Sequence, residues 1–261
     1  MLLAALPILI ELFTSEGCSS CPPADAVLAR LAERQPAPGV QLLVLSEHVD
    51  YWNSLGWRDP FSDEQFTDRQ SRYAPVVAHS RVYTPQAVVD GRLDVLGSDE
   101  DGIVRAAAAA ASEPHGEVRL TACGPSGHGP GSTPPPPPAK MPSEKKINFF
   151  SRGGAGTPTP DCAHRVHIAA ASLPPHGPAQ VLLVVVEDGL VSKVLRGENE
   201  GRTLPHTAVV RSLKGVGSIA RSAAAWEADV EVPSDPSWKR TRLVVFVQDR
   251  ETQRVLAAGS R

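Results

Sequence analysis

The sequence is poor in the features that mark most functional classes. It has 261 residues but only four cysteines, two methionines and 5% aromatic residues. Four cysteines are too few for a disulfide-dense scaffold, and they leave the redox compartment open. The formal net charge of −3 supplies no excess of either sign, so nothing points to nucleic acid or to an anionic membrane surface. The apolar stretch that starts at Met1 ends within about a dozen residues, too short to span a bilayer. It also lacks the basic n-region of a signal peptide and is expected to be the first strand of the fold. As written the chain reads as cytoplasmic; it reads as periplasmic or secreted if a targeting segment is missing from its start. No cofactor, nucleic acid or membrane partner is expected, and the oligomeric state stays open.

What is present is 41% hydrophobic residues, enough for substantial cores. The 21 glycines and 25 prolines are unevenly spread. Five consecutive prolines at 134–138 and the run Gly153-Gly154-Ala155-Gly156 fall in Gly124–Pro160, which is expected to be a solvated insertion.

Cys18-Ser19-Ser20-Cys21 stands where an apolar strand, Ile8 to Phe13, gives way to a helix over Pro22 to Glu33. Two thiols three positions apart at a helix start can exchange a disulfide with a partner and then close on each other. The unpaired N–H groups and positive dipole end of the helix favour a thiolate. Pro22 and Pro23 fit only the first helical turn, where N–H groups have no intrahelical partner.

Val40 to Val49 reads as a second strand, parallel to the first. A loop rich in aromatic residues follows, carrying Tyr51, Trp52 and Trp57. The next helix is expected to start at Ser62, with Gln65 at capping-box spacing and Phe61 and Phe66 at staple spacing. Asp63 and Glu64 suit its first turn, Arg69 and Arg72 its last, and Pro75 ends the pattern. Val82 to Val89 is a third strand, Asp90-Gly91 a hairpin turn, and Arg92 to Leu96 the returning strand. Ser98 is expected to cap a helix that runs to Ser112. The order is β-α-β-α-β-β-α.

This order, with CxxC at the first strand–helix junction and Thr84-Pro85 at the third strand, resembles the thioredoxin fold. It is closer still to an uncharacterised, mostly bacterial family of secreted thioredoxin-like proteins with a C-terminal β domain. The residues carrying that resemblance are Glu11 to Asp25, His48-Val49-Asp50-Tyr51-Trp52, Leu55-Gly56-Trp57, Asp59-Pro60-Phe61, Tyr83-Thr84-Pro85-Gln86 and Gly97-Ser98. Arg196-Gly197-Glu198-Asn199 and Gly201-Arg202-Thr203-Leu204 add a looser C-terminal match. The resemblance implies an α/β fold with a thioredoxin-like domain at 1–113, followed at 114–261 by a β-rich, sandwich-like domain containing the insertion. Its candidate strands are Glu117–Ala122, Arg165–Ala171, Val181–Glu187, Val191–Arg196, Ala225–Val232, Arg242–Gln248 and Arg254–Ala258.

The resemblance implies a thiol–disulfide oxidoreductase acting on an unknown protein or small-molecule thiol. Cys18 is the expected attacking thiol, nearest the surface, and Cys21 the resolving one. Two other readings stand beside it: a metal-binding or metallochaperone protein using the same cysteines, and a thioredoxin-like binding module without turnover. A zinc site needs about four ligands, and the sequence has no second CxxC. The resemblance also implies that Pro85 is cis and faces the CxxC, with Thr84 presenting its backbone to substrate; an ordinary proline at the start of a strand is the plainer reading.

His48 ends the second strand, where it could shuttle a proton or bind a metal beside the cysteines, or simply organise the aromatic loop. Trp52, with Tyr51 and Trp57, either lines a substrate groove or forms a satellite core. Glu198, Asn199 and Arg202 mark either an interdomain contact or ligand site or, more simply, a turn, and no catalysis is assigned to them. Cys123 and Cys162 bracket the insertion; they could pair in an oxidising compartment and are expected to remain free in the cytosol.

Overall fold

The structure, a computed structural model, describes residues 5–77, 81–122 and 164–261. The expected insertion at Gly124–Pro160 and the cysteines Cys123 and Cys162 lie outside the described residues. The first half contributes β1 (Leu6–Thr14), α1 (Cys21–Arg34), β2 (Val40–His48), α2 (Glu64–Val77), β3 (Gln86–Val89), β4 (Leu93–Leu96) and α3 (Glu100–Ala111). Among the described residues the second half contributes the strands β5 (Glu117–Ala122), β6 (Arg165–Ala171), β7 (Ala179–Glu187), β8 (Leu190–Lys193), β9 (Thr203–His206), β10 (Val209–Ile219), β11 (Trp226–Glu231), β12 (Thr241–Asp249) and β13 (Val255–Ser260).

Eight strands form one mixed sheet in the order β13-β12-β7-β10-β2-β1-β3-β4. The period-two alternation of β1 explains the layering. Ile8, Ile10 and Leu12 face α1 and α3, whereas Leu9 and Phe13 face α2 and a core completed by Leu182, Val184 and Phe246. The second half does not close a sandwich apart from the first. Strands β7, β10, β12 and β13 extend the same sheet. Strands β11-β6-β5 form a further layer, packed through Val166, Ile168 and Ala170 on Val181, Leu183, Val245 and Val247, and β8-β9 form a separate two-stranded sheet. The joint is β10, parallel to β2 at Val209↔Ser46 and antiparallel to β7.

Two helix starts differ from expectation. Asp63, not Ser62, accepts from a first-turn N–H, that of Gln65; the Ser62 hydroxyl donates instead to the Asp59 carbonyl. Asp99 rather than Ser98 caps α3, accepting from Gly102 N. In both cases a carboxylate one residue nearer the helix competes better for the orphan N–H. The Asp90-Gly91 turn has φ of 55° and 64°, the doubly left-handed geometry that favours this dipeptide in tight hairpins.

Arg69 does not sit in the last turn of its helix, because α2 continues through Pro75 to Val77. It is buried, donating from Nε to Glu11 Oε1 at 2.5 Å, from Nη2 to the Tyr73 hydroxyl at 2.9 Å and from Nη1 to Gln248 Oε1 at 3.2 Å. The Tyr73 hydroxyl donates in turn to Glu11 Oε2. Burial and the neighbouring Glu11 push the Glu47 carboxyl well above its ordinary range. This network ties β1, α2 and β12 together. Arg69→Ala is expected to cost about 3–5 kcal/mol, because Glu11 would remain buried and unpaired; Arg69→Met with Glu11→Leu should recover much of that loss. Urea denaturation of the three proteins checks both.

Candidate functional site

The chain leaves β1 at Thr14 and turns through Ser15-Glu16-Gly17 into the CxxC. Cys18 and Cys21 form a disulfide with Cα atoms 5.4 Å apart, and Cys21 is the first residue of α1. Prolines at the first helical positions cost no hydrogen bond there. The Cys18 disulfide sulfur lies 3.4 Å from Ser20 Oγ. Both cysteines have no exposed surface. Cys18 is therefore not the outward thiol expected from the sequence; the physical reason is the chain that lies across the CxxC loop.

That chain is the β8–β9 turn, Val194 to Arg202. Asn199, fully buried, donates from Nδ2 to the carbonyls of Glu16 and Cys18, 2.9 Å each. The exposed Glu198 accepts from Ser19 N at 3.0 Å, and that bond holds its carboxyl below the usual range. Gly197, at φ 83°, passes against Trp57, where a Cβ would stand 3.2 Å from the Trp57 Cβ. These residues, for which turn formation was the simpler reading of the sequence, lie on the candidate site.

Glu16 is buried and bound on every side. Its N–H donates to Asp59 Oδ2 at 2.8 Å; its carboxylate accepts from Trp57 Nε1 at 2.7 Å and from His206 Nε2 at 3.0 Å. Asp59 Oδ2 also accepts from His48 Nδ1 at 2.7 Å. The rings of His48 and His206 meet edge to face with centroids 5.0 Å apart, and Phe61 packs on both at 5.4 and 5.3 Å. Phe61 is thus drawn to the histidines. With one nitrogen of each ring given to a carboxylate, His48 Nε2 and His206 Nδ1 are left buried without a partner among the described residues.

Burial opposes charge on His48, but the Asp59 carboxylate beside it prevails and holds the imidazole above its ordinary value. Burial alone would raise Asp59; His48 and the N–H groups of Glu16 and Phe61 reverse this, and its carboxyl lies below the usual range. Asp25 stands one helical turn beyond Cys21, on the same face, and accepts from the Thr14 hydroxyl at 2.9 Å. Burial raises its carboxyl, and the charges of His48 and His206 offset only part of that.

Thr84 and Pro85 reach the same end of the molecule. The Thr84–Pro85 peptide is cis. Thr84 Oγ1 accepts from Trp52 Nε1 at 2.9 Å, and Trp52 packs against Gly17 beside Cys18. A Cβ on Gly97 would lie 3.0 Å from Pro85 Cβ and 3.2 Å from Ala24 Cβ, which puts Pro85 against the first turn of α1. Cys18, Cys21, His48, Trp52, Thr84 and Pro85 therefore share one region, whereas the half-exposed Tyr51 bonds Gln70 instead. Sequence reasoning missed Glu16, Asp25, Asp59 and His206. The first three stand in the motif strings already quoted; His206, on the unrecognised β9, carried no local signal. Among the described residues no three His, Cys, Asp or Glu side chains form a ready metal cage.

The fold and this site define a mixed α/β protein with a buried CxxC disulfide where the first strand meets the first helix. The chain matches a family described as a protein of unknown function, DUF1223, over residues 9–127 and 154–248, and it belongs to that family. No curated protein matches it. Among solved structures, a protein of Agrobacterium tumefaciens is similar over 99% of this chain and 95% of its own, with 23% identity and a TM-score of 0.68. HBP35 of Porphyromonas gingivalis is similar over 99% of this chain and 76% of its own, with 12% identity and a TM-score of 0.58. At these identities the likeness is one of fold.

The His48–Asp59 pair has a pH signature. A histidine whose folded pKa is raised contributes stability that is complete below its unfolded value near 6.5 and is lost as pH rises through the folded value. Wild type is expected to lose melting temperature above about pH 6.5, and Asp59→Asn to lose less over the same span. His115, also raised by its partner Asp90 against the opposing effect of burial, remains in both proteins, so the difference isolates His48. Melts from pH 5.5 to 8.5 measure it; parallel curves would remove the pair from the account.

Proposed function

We propose that the protein is a thiol–disulfide oxidoreductase of thioredoxin-like architecture, acting through Cys18 and Cys21 on a protein or small-molecule thiol. The observation that carries this reading is the Cys18–Cys21 disulfide closed at the N-terminus of α1. Support for the architecture comes from the β-α-β-α-β-β-α order of the first half and from Pro85 against the first turn of α1. On this reading residues 1–113 are the thioredoxin-like unit, and 114–261 are a β-rich unit that shares its sheet.

In the oxidised state a partner thiolate attacks Cys18 Sγ. The Cys18–Cys21 bond breaks, its electron pair leaves on Cys21, and a mixed disulfide joins Cys18 to the partner. A second partner thiolate then releases Cys18, so two electrons pass from two thiols to the pair. Run backwards, reduced Cys18 attacks a partner disulfide and Cys21 resolves it. The thiolate at Cys21 forms in a buried place, where burial favours the protonated thiol. His48 is the proposed proton shuttle, fixed through Nδ1 by Asp59, with Nε2 free. Thr84, Pro85 and Trp52 form the edge on which a partner would lie.

One observation favours a second reading, a thioredoxin-like binding module without turnover: neither cysteine has exposed surface. Equilibration in dithiothreitol redox buffers, with alkylation and mass spectrometry of the two cysteines, decides between them. Exchange predicts a single two-electron transition in the folded protein. It also predicts that reduced Cys21→Ser accumulates a mixed disulfide at Cys18 with oxidised glutathione. A pair that is reduced only on unfolding, with no adduct on Cys21→Ser, would favour the binding module.

A further inference from the structure

We propose that the β8–β9 turn is a strap that controls the exchange reactivity of Cys18, with Glu198 and Asn199 as its positioning residues. The inference rests on the exchange chemistry proposed above and adds its regulation. Four observations converge on it. Cys18 and Cys21 are wholly buried, although they stand at a helix start on a loop. The backbone of the CxxC loop is bound not by its own neighbours alone but by residues about 180 positions away. Glu198 Oε2 takes Ser19 N, and Asn199 Nδ2 bridges the carbonyls of Glu16 and Cys18. The strap is unevenly built: Asn199 is buried, while Glu198 and its flanking residues Arg196 and Glu200 are exposed. Its closing contacts are few, and the Glu198 contact is a surface hydrogen bond, the kind that contributes little to stability and opens readily.

The chemistry follows from what the strap occupies. A thiolate at Cys18 would draw on N–H groups of its own loop and on the helix dipole. Glu198 consumes one of those N–H groups, Ser19 N, and sets a negative charge beside it. Both effects disfavour a Cys18 thiolate and repel an incoming thiolate. The closed strap therefore protects the disulfide and biases the pair toward its oxidised form. A partner must displace Glu198 from Ser19 N, and the backbone it uncovers, Ser19 N–H and Cys18 C=O, is a donor and an acceptor for an extended partner chain.

The test uses the full chain and reduced dithiothreitol as the probe. Each dithiothreitol gives up two electrons and two protons as it closes its own disulfide, and Cys18–Cys21 takes them up as two thiols. Glu198→Ala removes the contact and the charge. Glu198→Gln keeps an acceptor for Ser19 N but removes the charge. Asn199→Asp replaces the donor to two carbonyls with an acceptor that they repel.

The strap predicts reduction about tenfold faster or more in Glu198→Ala and Asn199→Asp, since access and charge both limit attack on a disulfide. Glu198→Gln is expected to shift the equilibrium with dithiothreitol toward the dithiol by about tenfold, which is about 30 mV for this two-electron couple. Thermal melts provide the control. A strap that only stabilises the fold would lower the melt and leave the rate and the equilibrium of the folded protein unchanged, which overturns the proposal. If Asn199→Asp fails to fold, Glu198→Ala, at an exposed position, decides alone. Equal equilibration of wild type and variants rejects the strap and leaves exchange standing. A wild-type pair that never equilibrates, beside variants that do, supports the strap and counts against exchange as the resting activity.

Discussion

The arrangement around the disulfide depends on one buried carboxylate, that of Glu16. An unpaired carboxylate away from water costs several kcal/mol, so it must be met by donors. Here the donors come from distant parts of the chain: the Trp57 indole from the loop after β2 and the His206 imidazole from the end of β9. Its peptide group adds two more ties, an N–H to Asp59 and a carbonyl to Asn199. Glu16 stands two residues before Cys18. The position of the first cysteine is therefore fixed by groups that the chain supplies only when both halves are folded. A change at Trp57 or His206 acts on the CxxC loop without touching a sulfur.

The same division of labour appears in the core. A CxxC at a strand end needs a rigid β1, and β1 is held on its α2 face by the Glu11–Arg69–Tyr73–Gln248 network. Gln248 comes from β12, on the far side of the sheet order from β1. Burying charge in this way adds little net stability over a well-packed apolar core, but it penalises any arrangement in which β12 is absent or out of register. Both the network and β10 make the second half part of the frame on which the site is built. A cavity of about 580 Å3 lined by Arg92, His176, Arg221 and Asp249 includes none of the residues around the disulfide.

The sequence disclosed what local chemistry controls. The CxxC at a strand–helix junction, the tolerated prolines, the Asp90-Gly91 turn and the strands Glu117–Ala122 and Arg165–Ala171 all follow from residues next to one another. It concealed what depends on distance. Strand β10 reads Val-Val-Arg-Ser-Leu-Lys-Gly-Val-Gly-Ser-Ile, and its register shifts at Val210/Ser212 and at Gly215/Gly217. Each shift breaks the alternation by which a half-buried strand is recognised. With β10 unseen, the second half looked like a sandwich of its own. Arg69 looked like a last-turn residue because a helix pattern cannot show that Glu11, 58 positions earlier, lies across from it. Asn199 looked most simply like a turn former because its partners are backbone carbonyls, which leave no mark on a sequence.

Burial of the disulfide and the charge cluster beside it are two sides of one problem in the proposed reaction. A disulfide sealed from water is protected from stray thiols, but its reduction sets free a buried sulfur anion that water cannot protonate. Proton donors must then be built into the protein. Asp25, with its carboxyl raised by burial, lies one turn beyond Cys21; His48 stands nearby with one nitrogen tied to Asp59 and the other free. Burial and the carboxylate, respectively, shift these groups toward their protonated forms. An exposed CxxC would need neither strap nor cluster, since solvent would supply both access and protons. Opening the strap admits the partner, and the groups beneath it can meet the change in charge that follows. Cover and proton supply are in this sense one design, and Glu16 belongs to both: its carbonyl is held by the strap and its carboxylate by His206.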